Sequence, residues 1–153
     1  MRLALFQPDI PQNVGAAIRL CACLAVGLDI IEPCTFRMDD RSLKRAALDY
    51  GPLGEVERHA SWSDFLERAQ QRQTRLVLLT TKSATSLLTF SFQTGDTVLM
   101  GSESAGAPDW VHEAAQARLR IPLVVGARSL NIATAAALAL GEGLRQTGGY
   151  PEA

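Results

Sequence analysis

The chain has 153 residues, 47% of them apolar and 20% charged, and a formal net charge of −1. That length supports one domain with a substantial core, while its short, interrupted apolar runs exclude a membrane-spanning helix. A balance so near neutral argues against indiscriminate nucleic-acid binding, which needs a broad positive field, and leaves room only for a local basic patch.

Residues 2–6 (Arg-Leu-Ala-Leu-Phe) read as a buried strand ended by Pro8 and Pro11. Its apolar stretch stops too early for a signal peptide, so a cytoplasmic protein is expected. Asn13 is a good N-cap for a helix over 14–26, with Gly27 as the residue that ends it. A second strand over 28–32 is closed by Pro33, and Asp39 or Asp40 caps a helix to about Asp49. Residues 56–59 form a strand, and Ser61 with Asp64 resembles a capping box for a helix through Gln70.

Residues 75–80 (Arg-Leu-Val-Leu-Leu-Thr) have the near-continuous apolar character of a strand covered on both faces. A further strand over 96–100 runs into the glycine-bearing loop at Gly101, Pro108 opens a short helix through Ala115, and residues 119–123 form a last strand. A long Ala-rich helix over 130–145 ends at Gly148-Gly149. Strands alternating with helices predict an α/β domain with a mostly parallel sheet flanked by helices. The small residues of the last helix (Ala133, Ala135, Ala136, Ala137, Ala139, Gly141, Gly143) fit either burial within the chain or a helix-to-helix dimer interface.

Cys21, Cys23 and Cys34 lack Cys-x-x-Cys spacing, and His59 and His112 are isolated in the sequence. Reduced thiols and no metal are the expectation. Arginine and lysine gather at Arg37, Arg41, Lys44 and Arg45, and again at Arg118, Arg120, Arg128 and Arg145. Each group reads most simply as a solvated surface, with a local basic patch left open.

Three segments join small residues to polar side chains at strand ends or helix starts, where open α/β sheets bind ligands. Gly101-Ser102-Glu103-Ser104-Ala105-Gly106 is neither a Walker loop nor Gly-x-Gly-x-x-Gly, and Glu103 would repel a pyrophosphate. Arg19 stands among Ala16, Ala17, Ile18, Leu20 and Cys21, and a guanidinium buried there would need a partner or a polar ligand. Ser129 is the expected cap of the last helix, with Asn131 in its first turn.

Together, Asn13-x-Gly15-x-x-x-Arg19, Gly101-x-Glu103-x-x-Gly106 and Ile121-Pro122 with Ser129-Leu130-Asn131 closely resemble the SpoU family of RNA 2′-O-ribose methyltransferases, in the SPOUT superfamily. Gln7-Pro8, Ile31-Glu32-Pro33, Leu48-Asp49-Tyr50, Thr80-Thr81-Lys82 and Gly149-Tyr150-Pro151 resemble its minimal branch, which acts on the tRNA wobble nucleotide. The likeness covers essentially the whole chain and implies one domain over 1–153, with no added RNA-binding domain. It also implies a C-terminal trefoil knot, S-adenosylmethionine as cofactor, tRNA as substrate and a homodimer.

By position, the resemblance puts Leu79, Thr80, Gly101, Gly106, Ile121, Leu123, Ser129 and Leu130 around the cofactor. It makes Arg19 the leading catalytic residue, reaching the partner subunit's site, with Asn131 and Glu103 as further catalytic candidates. Asn13, Arg41, Lys82 and Arg128 are its candidate RNA contacts. Ala105 and Gly141 depart from the arginine and tyrosine often found there in wobble-type relatives, which bears on substrate choice. The implied reaction is in-line attack of a ribose 2′-hydroxyl on a sulfonium methyl group. Alternatives are 2′-O-methylation elsewhere in tRNA or ribosomal RNA, and a non-catalytic knotted RNA-binding module.

Overall fold

The computed structural model describes residues 1–37 and 55–152. The expected helix from Asp39 or Asp40, together with Arg41 and the neighbouring basic residues, lies outside them. Six strands are described: β1 (Arg2–Phe6), β2 (Gly27–Ile31), β3 (Val56–His59), β4 (Leu76–Leu79), β5 (Thr97–Met100) and β6 (Ala117–Leu119). They form one sheet in the order β3-β2-β1-β5-β4-β6, with every pairing parallel. Four helices accompany them: α1 (Pro11–Cys23), α2 (Trp62–Gln71), α3 (Asp109–Ala114) and α4 (Ile132–Thr147).

Strand alternation sorts the core into two layers. Leu3, Leu5, Leu28 and Ile30 face α1 and α4, packing with Val14, Ile18, Ala136 and Leu140. Ala4, Phe6, Ile31 and Leu78 face α2 and α3, packing with Phe65, Ala69 and Val111. Of the seven small residues of α4, Ala135, Ala136, Ala139 and Gly143 are buried inside the chain, while Ala133, Ala137 and Gly141 are partly exposed. A Cβ on Gly143 would lie 2.4 Å from Met1 Cε, so this glycine lets the N-terminus pack against the helix.

Several boundaries differ from expectation for local reasons. Helix α1 starts at Pro11, with Ile10 as its N-cap and no side-chain capping bond. Proline suits that position because its fixed φ and missing N–H cost nothing there, which frees the Asn13 side chain from capping. The left-handed residue after the helix is Ala25 (φ 52), not Gly27. Gly27 instead opens β2, where a Cβ would lie 2.2 Å from the Arg2 guanidinium.

The last strand ends at Leu119 rather than reaching Leu123. Thr80 N–H donates to the Leu119 carbonyl at 2.8 Å, but Arg120 then pairs with the preceding crossover, donating to Thr85 O (2.9 Å) and accepting from Leu87 N–H (2.9 Å). Pro122 offers no donor to continue a ladder. Residues 121–131 therefore run as irregular chain with one turn at 124–127. Helix α4 is capped by Asn131, not Ser129, and ends at Gly148 in the left-handed conformation (φ 63).

Beneath α2 lies a charged network. The fully buried Asp29 carboxylate receives Arg2 Nε at 2.7 Å and Arg72 Nη1 at 3.1 Å, and His59 Nε2 lies 2.8 Å away. Burial opposes its ionisation, yet the hydrogen bonds and charge of Arg2, with those of His59 and Arg72, hold it below the usual carboxylate range.

Candidate active site

All strands run parallel, so the loops leaving β1, β4 and β5 emerge along one edge of the sheet. After β1 the chain continues to β2 on one side, while β5 lies on the other, and ligand crevices form where connections part in this way. Here the loop after β1 meets the loop after β5.

The 101–106 loop is closed on itself. Ser102 N–H donates to Gly106 O at 3.1 Å and Gly106 N–H donates to Ser102 O at 2.9 Å. A Cβ on Gly101 would lie 2.5 Å from Ala107 N, and Gly106 takes φ +69. Both glycines are therefore required by backbone geometry.

That loop delivers Glu103 to the start of α1. Asn131 Oδ1 accepts from Ala133 N–H (2.9 Å) and Thr134 N–H (3.3 Å) at the start of α4, and its Nδ2 donates to Asn13 Oδ1 at 2.9 Å. Asn13 Nδ2 in turn donates to Glu103 Oε1 at 2.9 Å, and Glu103 Oε2 accepts the Asp9 N–H at 2.9 Å. One end of this chain offers only helix N–H donors and the other only carboxylate acceptors. A single orientation of both amides satisfies every bond. Ser104 extends it, donating from N–H to Asp9 Oδ2 at 3.2 Å and from its hydroxyl to the same oxygen. The Asp9–Glu103 contact, and after it the hydrogen bonds from Ser104, hold the Asp9 carboxyl below its ordinary pKa.

Beside these amides opens a cavity of about 490 Å³, within the ordinary range for small-molecule sites. Leu79 and Thr80 enter it from the end of β4, and Gly101 and Gly106 from the closed loop. Ile121, Leu123, Ser129 and Leu130 come from the irregular segment before α4. All eight residues expected around a cofactor thus line one space. Asn13, Glu103, Asn131, Lys82 and Arg128 border it too.

Arg19 does not. It lies on the exposed side of α1, roughly 9 Å along the axis from Asn13 at the helical rise per residue. The carboxylate of Glu103 holds Asn13 and the Asp9 amide rather than Arg19. Other wall residues were not singled out from sequence: Met100, Ala107, Ile132 and Ala135 complete the apolar lining, with Ile10 and His112 at its borders. Asp9 was also missed, although Pro8-Asp9-Ile10-Pro11 directly follows the first strand at the sheet's parting point.

The cavity suits an adenosyl cofactor carrying no phosphate. Leu79, Met100, Ile121 and Ile132 supply apolar walls, the Gly101 cradle brings backbone to its surface, and Glu103 would oppose a pyrophosphate. Elsewhere, Asp29, Glu57 and His59 are the one trio among the described residues whose potential metal-ligating atoms lie within 4.8 Å of one another. Arg2 and Arg72 already meet those carboxylates, so ion pairing accounts for the cluster. The three cysteines are free, and burial pushes the Cys21 thiol up to about 12 and the Cys34 thiol up to about 11. Neither is a nucleophile at neutral pH.

The model of the SpoU rRNA Methylase family matches residues 1–141. The chain belongs to the SpoU methylase family. A relative from Ancylobacter novellus named tRNA (cytidine(34)-2′-O)-methyltransferase is 49% identical over 150 residues, covering 98% of this chain and 95% of the relative. One of the same name from Escherichia coli is 41% identical, covering 100% and 97%. Among solved structures, one concerned with 2-OH methylation of C/U34 on tRNA superposes with a TM-score of 0.86 at 39% identity, covering 95% of this chain and 94% of that one. The SpoU methyltransferase AviRb from Streptomyces viridochromogenes, solved in complex with AdoMet, gives 0.82 at 25% identity, covering 95% of this chain and 60% of that one. No described helix is long and apolar enough to cross a membrane.

Proposed function

We propose that this chain transfers a methyl group from S-adenosylmethionine to the ribose 2′-hydroxyl of the wobble nucleotide, position 34, of tRNA. The observation that carries the reading is the Asn131–Asn13–Glu103 chain of hydrogen bonds, which draws the three family motifs to one wall of a cofactor-sized cavity. Near-full-length likeness to relatives of that activity supports the substrate.

When bound, the cofactor supplies a sulfonium-activated methyl group. The residues of this chain then have to bind, align and manage one proton. The apolar walls at Leu79, Met100 and Ile132 exclude water from the adenosyl part. Asn131 and Asn13 each retain one amide N–H beyond those in the chain of bonds, and these position polar atoms of cofactor or ribose. Glu103 fixes Asn13. Lys82 and Arg128, at the rim, meet RNA phosphate.

Arg19 completes the site of a second subunit in this reading. Its guanidinium stays protonated, so it orients the substrate phosphate and stabilises negative charge growing on the 2′-oxygen. The face around it, Gln12, Ala16 and Cys23, is exposed, which leaves room for a partner helix. A homodimer working in the cytoplasm follows from the reading. So does a trefoil knot within the single domain over 1–153, a reading supported by Arg120 pairing with the 85–87 crossover before α4 turns back onto α1.

The test is incubation with labelled S-adenosylmethionine and unmodified bulk tRNA, followed by nuclease mapping. Label at the first anticodon nucleotide is expected. Label elsewhere moves the substrate, and no label despite demonstrated cofactor binding overturns the reading in favour of a non-catalytic RNA-binding module.

A further inference from the structure

A second cavity, of about 510 Å³, lies beside β6 and shares the side chains of Lys82 and His112 with the first. Arg118 from β6 joins them in its wall, and Ser83, Thr85 and Gln116 add hydroxyl and amide groups. None of the described residues lining it is acidic. That is notable in a chain with 16 carboxylate side chains against 15 lysines and arginines. It also contrasts with Arg2, Arg58, Arg68, Arg72, Arg75 and Arg145, which are held in ion pairs. Among the described residues, neither Lys82 nor Arg118 has such a carboxylate partner.

The cavity is also built rather than loose. Ser83 Oγ donates to the Arg118 carbonyl at 2.6 Å and accepts from Thr85 N–H at 3.1 Å, which ties the loop after β4 to the edge strand. The two cations therefore project from backbone that hydrogen bonds hold together.

We propose that this cavity is a phosphate subsite for the RNA backbone. It takes a phosphate near the methylated ribose, with Lys82 bridging the two cavities and Arg118 giving the second charge. The inference rests on the reading of the chain as a tRNA methyltransferase. Two cations without a carboxylate partner among the described residues and a ring of donors recognise an oxyanion, and the wall shared with the first cavity puts that oxyanion on a strand whose ribose meets the cofactor at the first cavity's mouth.

The experiment measures tRNA binding by the full chain as a function of salt, for wild type, Arg118→Gln, and the exposed cavity-wall pair Ala84→Glu and Ala84→Lys. Losing one phosphate contact lowers the slope of log K against log salt by about 0.7. Arg118→Gln is expected to show that loss and a several-fold weaker complex. Ala84→Glu should weaken binding and Ala84→Lys strengthen it, all with unchanged affinity for S-adenosylhomocysteine. An unchanged slope in Arg118→Gln with no effect of charge at position 84 overturns the subsite. Binding of inorganic phosphate or cytidine monophosphate that Arg118→Gln abolishes, without any change in the tRNA slope, overturns it too and leaves a free-anion site. Methyl transfer by wild type is assayed in parallel. Its absence alongside intact charge-dependent tRNA binding marks failure of the enzymatic reading, not of the subsite.

Discussion

Gly101 has no room for a side chain, because the loop that starts there returns to within 2.5 Å of where a Cβ would stand. Gly101→Ala is expected to open the Ser102–Gly106 pairing and abolish cofactor binding with little change in the melting of the rest of the sheet. Calorimetry with S-adenosylhomocysteine beside a thermal melt checks it. Glu103→Gln probes the neighbouring bonds. A glutamine has one acceptor oxygen where Asn13 Nδ2 and Asp9 N–H need two, so a donor is left facing a donor. A loss of about 1–3 kcal/mol is expected, from an unmade hydrogen bond in a half-buried place, read as a lower denaturation midpoint with reduced methyl transfer. Wild-type stability in that variant would show that the amide chain does not depend on the carboxylate. The Asn13 signal was misread from sequence because Asn at a helix start is most simply a cap. Pro11 had already taken the helix start, and only that leaves the amide for Glu103 and Asn131.

At the scale of elements, the sheet carries its buried charge in β2. Asp29 is ionised in the fold below its unfolded pKa of about 3.9. Its stabilisation is therefore fully present above that value and is lost as pH falls through 3.9 toward the lower folded value. Wild type should lose stability below about pH 4, and Asp29→Ala should lack that component, being weaker by about 3–5 kcal/mol above that pH, where Arg2 and Arg72 lose a buried ionised partner, with the gap narrowing in acid. Urea denaturation at a series of pH values checks both. Helix α4 ends on Gly148 at φ 63, and Gly148→Ala should lower stability by about 1 kcal/mol through left-handed strain alone. Strands β1 and β3 are legible in the sequence to the residue, and the Ser61 cap is formed as expected, Asp64 N–H donating to Ser61 Oγ at 3.1 Å. Strand β6 is not, because its end depends on Arg120 pairing with the 85–87 crossover rather than continuing the ladder with β4, a choice made in three dimensions.

At the scale of the whole molecule, the cavity and Arg19 lie apart within one chain, and the proposed reaction needs them together. Arg19→Ala is expected to fold, bind S-adenosylhomocysteine normally and lose methyl transfer. Mixed with Gly101→Ala, which keeps Arg19 but lacks a working cavity, it should regain about a quarter of wild-type turnover: half the dimers are mixed, each with one complete site. Two inactive variants that stay inactive when refolded together would place Arg19 in its own chain's site or out of catalysis.

The sequence by itself determined the family and the alternation of strands and helices, and its likeness to that family singled out eight residues that line one cavity. Local chemistry governs the alternation, since periodic apolar runs make strands and tight loops admit only glycine. Tertiary structure alone decided that Glu103 grips Asn13, that Asn131 reaches the same amide, and that Lys82 and Arg118 line a second cavity. Those contacts join residues 90 and 118 positions apart or lie across a sheet edge. No local propensity encodes such a meeting, because it exists only once the parallel sheet has set its loops along one edge.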